Sequence, residues 1–569
     1  MSPRPRESQG TMGWPRPHHW QPWRRWRYGL LSLATAGLWL LAVPSRAADR
    51  LIISYGVLER TITMADLETF ASTGQLSAQL RAYNRYFNLS PDQLDQAQRV
   101  LTTPTEMLSP VGIAQFLYTQ QGVRLLEELT RVVRTPARVG DFSALRAALI
   151  LGAVGAEGGV TLLDVLRAYP LEAIRIDLAE GFVVAEEINR AIFQAAQAVS
   201  LVQRLSHQEA EADPLSPIEM EGLRQFLQAS QPYGVQTFSR RLPGLDRPVN
   251  LYLPQRGEGQ APLPRGFPLI LISHGLGSNR HSYAYLANAL ASGGFAVVAI
   301  DHAGSNDEQL MALLEGRTAD VVPNEEFLRR PQEISLALDA LTSLQPPLPV
   351  PLDLNRVGVV GQSFGGYTAL ALAGASFDLE TLTAECPPEV LTFNPSLLLQ
   401  CQATALTDPQ QALQDPRVDS IFVMNPVGSV LFGPDGYRRI PIPVMLVSSA
   451  ADTVAPAFPE QILPFTWLST PERHLVLMGR GTHFSVIGDV NADNQPIAIP
   501  PDIIGPRPDL AQDAMEILAL AHFQLALNQD ERFRPMVQAA FWQNLSGETY
   551  PTYLSTTLSP EGLGSVLQP

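Results

Sequence analysis

The chain has 569 residues, 45% of them hydrophobic and 17% charged. That balance describes a globular protein with ample core, and the length implies more than one domain. Formal net charge is −16, and the first 47 residues hold seven arginines and one glutamate, a surplus of six, so the remainder stands at −22. A surface that acidic repels phosphate backbones and excludes nucleic acid as an expected partner. The chain contains no lysine, which removes Schiff-base chemistry, pyridoxal phosphate anchoring, Ser–Lys dyads and P-loops, and leaves histidine as the base for any nucleophile.

The N-terminus carries the pattern of an export signal. Arg24-Arg25-Trp26-Arg27 precedes an apolar run over 28–43, and Ser45-Arg46-Ala47 places small residues three and one before a cut after Ala47. The mature chain is therefore expected in the periplasm or outside the cell. An uncleaved N-terminal membrane anchor is the alternative, disfavoured because the run is short for a span. No cysteine lies near the cut, so a lipoprotein anchor is excluded. The two cysteines, Cys386 and Cys401, both fall in the exported part, where an oxidising compartment favours a disulfide between them. A metal site there lacks a histidine or third cysteine.

Residues 48–205 are expected to form a mainly α-helical domain. Thr63-Met64-Ala65-Asp66 and Ser90-Pro91-Asp92-Gln93 have the spacing of helix starts. Leu80 and Tyr83, and later Leu125, Leu129 and Val132, recur at helical spacing and are expected in the core. Residues 173–178 alternate as a short strand does. A polar, Glu- and Gln-bearing stretch over 206–232 is expected to be a linker. From 233 to 528 short apolar runs alternate with helical patterns. Strands are predicted at 249–253, 268–273, 295–300, 356–360, 421–424, 444–448 and 474–478. Their near-continuous apolar character predicts a doubly wound α/β domain whose parallel sheet is buried on both faces. An insertion over 376–417 holds both cysteines. Its apolar groups Leu391-Thr392-Phe393 and Leu397-Leu398-Leu399 either face an acyl chain, as a disulfide-tied lid, or pack on the sheet. Residues 529–569 form a C-terminal tail with no motif.

Strand, Gly361-Gln362-Ser363-Phe364-Gly365, helix is the context of a nucleophile elbow. The serine sits at the apex of a strained turn, and flanking glycines relieve the clash that larger residues would make. Ser363 needs a histidine to take its proton and a carboxylate to orient that histidine. His483 lies in Gly479-Arg480-Gly481-Thr482-His483, a glycine-rich turn after the last predicted strand, and Asp452 lies just past the strand 444–448. Asn425, after the preceding strand, cannot carry the charge, and Asp419 lies at the wrong strand end. Two backbone amides should hold the oxyanion: that of Phe364, after the nucleophile, and that of Leu276, in Ser273-His274-Gly275-Leu276-Gly277. His274 is expected to shape that loop, and Asp301-His302 to form a structural turn. The acidic run 489–493 mimics a calcium loop, but Asn494 replaces the required glycine and Pro500 the bidentate glutamate.

The Ser273–Gly277 loop, Arg330-Pro331-Gln332-Glu333-Ile334 with Leu338-Asp339 downstream, and Gly361–Gly366 together resemble α/β-hydrolases of the platelet-activating-factor acetylhydrolase and dienelactone hydrolase groups. The likeness covers 233–527, and three motifs in order are far more specific than one. It implies an α/β-hydrolase fold and a serine esterase acting on short or oxidised acyl esters, small-molecule or lipid, without cofactor or metal. Asn425 departs from the acetylhydrolase pattern, which tends to place its acid there, and favours a broader carboxylesterase. Around Thr135-Pro136, 161–166 and 174–177 the chain resembles a helical domain of unknown function found ahead of such hydrolases in cyanobacteria. The alternatives are a phospholipid acetylhydrolase, an acyl-aminoacyl-type peptidase, disfavoured because no propeller-like repeat precedes the domain, and a non-catalytic binding protein.

Overall fold

The computed structural model describes residues 48–104, 110–154, 159–257, 265–387, 394–409, 411–488, 499 and 501–567. The expected export signal, the group 391–393 and the acidic run 489–493 lie outside them. The N-terminal part opens on a hairpin, β1 (Arg50–Tyr55) and β2 (Leu58–Thr63), turned by Gly56 at φ +58. β3 (Val133–Arg134) and β4 (Ala173–Asp177) complete a four-stranded sheet in the order β2-β1-β4-β3, with β4 parallel to β1. Helices still hold most of the described residues over 48–205, as expected; the sheet is an addition that the sequence reduces to the single strand at 173–178. Leu58-Glu59-Arg60-Thr61-Ile62-Thr63 does not alternate cleanly, since Arg60 shares a face with Leu58 and Ile62, so this strand leaves little trace in the sequence; the helices pack on the sheet those strands make. The two predicted helix starts stand: Thr63 caps Met64–Thr73, and Ser90 closes a capping box on Pro91–Thr102.

The second sheet has nine strands in the order β13-β12-β11-β10-β9-β7-β8-β6-β5. They are β5 (Gly234–Arg240), β6 (Val249–Gln255), β7 (Phe267–Ser273), β8 (Ala296–Ile300), β9 (Leu352–Gln362), β10 (Val418–Met424), β11 (Val444–Ser449), β12 (Arg473–Met478) and β13 (Thr552–Ser555). β8-β7-β9-β10-β11-β12 run parallel, and the outer strands are antiparallel. Alternate residues divide between two cores. Leu269, Leu271, Val357 and Val359 face one, and Ile270, Ile272, Val360 and Phe422 the other. Each such fully buried side chain contributes about 1.5–3 kcal/mol, so the central strands are held from both faces. Gly358 is required where β9 passes under the helix Pro508–Asn528, since a Cβ there would lie 2.4 Å from Phe523.

Two segments, the linker and the tail, differ from expectation. The linker 206–232 is helical: Leu178–Ala212 is one 35-residue helix, and Ser216 closes a capping box on Pro217–Ala229. Its Glu and Gln residues are good helix formers on an exposed face, not a sign of loop. The tail is likewise structured, with β13 added antiparallel to β12. Glu209, inside the supposed linker, accepts hydrogen bonds from Ser555 Oγ at 2.6 Å and Thr557 Oγ1 at 2.6 Å, so the two misread segments hold one another. In the insertion, Cys386 and Cys401 form a disulfide. Leu397, Cys401 and Ala403 are buried in the core, and Gln400 donates to buried Glu460 at 2.9 Å. The described part of the insertion therefore packs into the core against the helix Ser429–Arg438, whose Val430 and Leu431 N–H groups donate to Gln400 Oε1. No described helix is long and apolar enough to cross a membrane.

Candidate active site

β9 ends at Gln362, and Ser363 follows at φ 54, ψ −116 before the helix Phe364–Leu372. A non-glycine residue at that positive φ is strained, and its neighbours show how tightly the turn is held. A Cβ at Gly361 would lie 2.0 Å from the Gly365 carbonyl, and one at Gly365 would lie 2.0 Å from the Ser273 carbonyl. The Ser363 N–H donates to the Met424 carbonyl at 3.0 Å, which fixes the apex against β10. Ser363 is 7% exposed, and its Oγ makes no hydrogen bond to a described residue.

Asp452 and His483 lie beyond the carboxyl ends of β11 and β12, on the same sheet edge as Ser363. Asp452 Oδ2 meets His483 Nδ1 at 2.7 Å, while Asp452 Oδ1 accepts the Val454 and Ala455 N–H groups at 2.8 and 2.7 Å. With both oxygens engaged, the carboxylate has one orientation. Gln362, beside the nucleophile position, donates from Nε2 to the His483 carbonyl at 3.2 Å, and so ties the histidine loop to the elbow strand. No hydrogen bond joins Ser363 to His483 in this structure; such contacts often tighten only when substrate is bound.

Asn425 stands at φ 45 at the end of β10 and is fully buried. Its Nδ2 donates to Asp452 Oδ2 and Ser449 Oγ, both at 3.0 Å, and its Oδ1 accepts from Ser449 at 3.1 Å. The residue that departs from the resemblance is thus a neutral donor to the acid on the next strand. That contact joins residues 27 apart, and no motif reports it.

The loop after β7 lies against the elbow. A Cβ at Gly275 would come within 2.3 Å of Gln362 Oε1, so glycine permits the approach. Within the turn Gly277 N–H donates to the Ser305 carbonyl and Ser278 N–H to the Gly275 carbonyl. Among the described residues, nothing accepts from the Leu276 N–H. Phe364 opens its helix, and an amide in a first turn has no intrahelical partner.

A buried polar network supports this loop from the helix Glu326–Thr342, and most of it was not legible in the sequence. Arg330 donates from Nη2 to the His274 carbonyl at 2.7 Å, and its guanidinium lies 4.5 Å over the Phe364 ring. His302 Nδ1 meets Glu333 Oε2 at 2.6 Å and its Nε2 meets Ser273 Oγ at 2.9 Å. The His302 backbone N–H donates to His274 Nε2 at 3.0 Å, which leaves the His274 proton on Nδ1, facing the Gly275 carbonyl at 2.7 Å. Burial first, and then the Arg330 charge, hold both imidazoles well below the usual histidine range. Burial raises the Glu333 carboxyl. Ser273, His302 and Glu333 have the connectivity of a catalytic triad, but Ser273 and His302 are fully buried, so they brace the loop. Arg330 and Glu333 stand three apart, on one helix face; the motif was visible in the sequence, its contacts were not. Asp301 likewise serves structure, bonded to Arg280 at 2.6 Å and Asn306 at 2.8 Å.

A parallel sheet with antiparallel outer strands, and a strained serine at the carboxyl end of its central strand, define an α/β-hydrolase. Comparisons with known proteins agree: residues 269–493 match the profile of the "Alpha/beta hydrolase family", a stretch that includes Ser363, Asp452 and His483. Residues 207–329 match "Platelet-activating factor acetylhydrolase, isoform II", and 47–177 match "Alpha/beta hydrolase of unknown function (DUF1400)". The chain belongs to the α/β-hydrolase superfamily. Among curated relatives it is similar to the platelet-activating factor acetylhydrolase of Canis lupus familiaris, 28% identical over 146 residues, which is 19% of this chain and 33% of the relative. The enzyme of the same name from Cavia porcellus is 31% identical over 143 residues, 19% of this chain and 33% of the relative. The chain thus spans about a third of the length of the curated relatives it matches.

Proposed function

We propose that the protein is an exported serine esterase that cleaves carboxylic esters through an acyl-enzyme. His483 Nε2 takes the Ser363 proton as Oγ attacks the ester carbonyl, and the tetrahedral oxyanion is held by the Leu276 and Phe364 amides. His483 then protonates the leaving alcohol as the carbon–oxygen bond breaks. A water, deprotonated by the same His483, attacks the acyl-enzyme and releases the acid and Ser363. Asp452 keeps the proton of the neutral imidazole on Nδ1 and stabilises the imidazolium that forms. The observation that carries this reading is the 2.7 Å contact of Asp452 Oδ2 with His483 Nδ1, on a loop tied to the elbow strand by Gln362.

Short or oxidised acyl esters, including those of lipids, are the proposed substrates; the similarity to acetylhydrolases supports the class. The basic-then-apolar N-terminal run and the disulfide support export to the periplasm or beyond. Turnover of nitrophenyl esters of graded acyl length, beside matched anilides, tests the reaction type. Ester cleavage at least a hundredfold faster than amide cleavage is expected, and faster amide cleavage would replace esterase by peptidase.

Asn425 offers a test of the relay. Asn425→Asp sets a second carboxylate against Asp452 in a buried place, and added negative charge beside the histidine favours its imidazolium form. Since the neutral imidazole is the base, the acid limb of the kcat/KM profile will move to higher pH. A limb that stays in place would separate Asp452 from the catalytic histidine.

A further inference from the structure

The N-terminal sheet leaves part of one face uncovered. The register of the hairpin sets Leu51 opposite Ile62, Ile53 opposite Arg60 and Tyr55 opposite Leu58, and the two-residue repeat of a strand turns all six to one side. The helices Ala78–Phe87 and Pro91–Thr102 cover the Ile62 end of this face through Leu80, Tyr83 and Leu94. Toward the turn the cover runs out, and Tyr55 and Leu58 are exposed.

Two cavities of about 550 and about 330 Å³ lie on this face. Ile53, Arg60 and Tyr83 line both, so they are neighbouring chambers of one trough, of a size typical of small-molecule sites. The walls are almost entirely hydrocarbon. The larger chamber lies among Leu67, Phe70, Leu76 and Leu80, and the smaller is bounded by Tyr55 and Phe182, whose rings meet edge-on at 6.0 Å. The Tyr83 hydroxyl is already engaged, donating to the Thr61 carbonyl at 3.1 Å.

Arg60, exposed at the junction, is the one charged residue of this lining, beside the neutral amides of Asn84, Gln93 and Gln96 in the larger chamber. Elsewhere in this sheet and its loops arginines meet acids: Arg50 meets Glu172, and Arg138 and Arg175 both meet Glu59. Arg60 makes no ion pair among the described residues, and its Nη1 donates only to its neighbour's carbonyl, that of Glu59, at 2.9 Å. A lone cation between two hydrocarbon chambers complements a molecule with a long apolar body and one negative charge.

We infer that this trough binds a single-chain anionic amphiphile of the long-chain fatty acid class, with hydrocarbon in the chambers and the carboxylate on Arg60. The site stands apart from Ser363 and does not depend on the proposed esterase activity. A photoreactive 16-carbon fatty acid, given to the full chain, tests it. Saturable labelling, displaced by hexadecanoic acid, is expected on peptides within residues 50–101 and 178–182. Arg60→Glu will weaken hexadecanoic acid binding at least tenfold and Arg60→Gln less, while hexadecanol binding stays within twofold. Both variants will keep the wild-type circular dichroism and nitrophenyl acetate turnover, so failure here is distinguishable from failure of the esterase reading. Labels confined to residues 267–567, equal fatty acid affinity in Arg60→Glu, or a crosslink showing the apolar run 28–43 seated in the trough would each overturn the inference.

Discussion

Asp452→Asn will lower kcat on a nitrophenyl ester by roughly 10⁴-fold while leaving the folded structure intact. The reason is the hydrogen-bond pattern around the carboxylate. Oδ1 accepts two backbone N–H groups, from Val454 and Ala455, so the carbonyl oxygen of an asparagine will take that place. Its NH₂ must then face His483 Nδ1, which can only accept, and the imidazole proton is driven to Nε2. A base that already carries its proton cannot take another from Ser363. The same NH₂ would also face the Asn425 Nδ2 donor that now bonds Oδ2. His483→Ala removes the base altogether and should cost on the order of 10⁶-fold. Steady-state kinetics with thermal melts check both; a loss under tenfold for Asp452→Asn would show that another group orients the histidine.

The second large effect is expected at Arg330. Its side chain touches both halves of the proposed oxyanion site, through the His274 carbonyl at 2.7 Å and the Phe364 ring at 4.5 Å. It is fully buried, Nε and Nη1 have no hydrogen-bond partner among the described residues, and burial draws its pKa down to about 10. A charge kept at that cost is explained by the geometry it holds. Arg330→Met preserves much of the bulk but releases the loop, and kcat should fall about 10²-fold, the scale of losing one oxyanion donor, with KM changed less than threefold. Arg330→Lys should recover little, because an ammonium lacks the planar fork and stacks poorly. Affinity for a trifluoromethyl ketone, which forms the tetrahedral adduct, should fall in step with kcat/KM, whereas affinity for a non-reacting substrate analogue should not. Equal loss of both affinities would reduce Arg330 to a packing role.

The parts of the fold that were legible in the sequence are those with little freedom. β7 through β12 are apolar on both faces, so their runs stand out. β5 is half exposed along its length, and the hairpin β1–β2 mixes Arg, Glu and Thr among its apolar residues, so neither shows as a continuous run. The segment 206–232 looked like a linker because an exposed helix is polar; its contacts with β13 and with Phe533, more than 300 residues away, reveal its place. At the site, Ser363 was legible because the elbow demands Gly361 and Gly365 on either side. Asp452 and His483 followed from their places beyond successive strand ends. The donor role of Asn425 and the bracing by Arg330, His302 and Glu333 depend on distances across strands and helices, which spacing along the chain does not encode. Ser273 illustrates the hazard: it bonds a histidine that bonds an acid, a link that Ser363 does not make in this structure, and its complete burial and its place inside β7 rather than on a strained turn separate it from a nucleophile.

That contrast sets the most direct measurement. A fluorophosphonate, reacted with the folded chain and followed by peptide mass spectrometry, should form one adduct, on Ser363, and Ser363→Ala should form none. An adduct on Ser273, or no adduct on folded wild-type protein, would contradict the account.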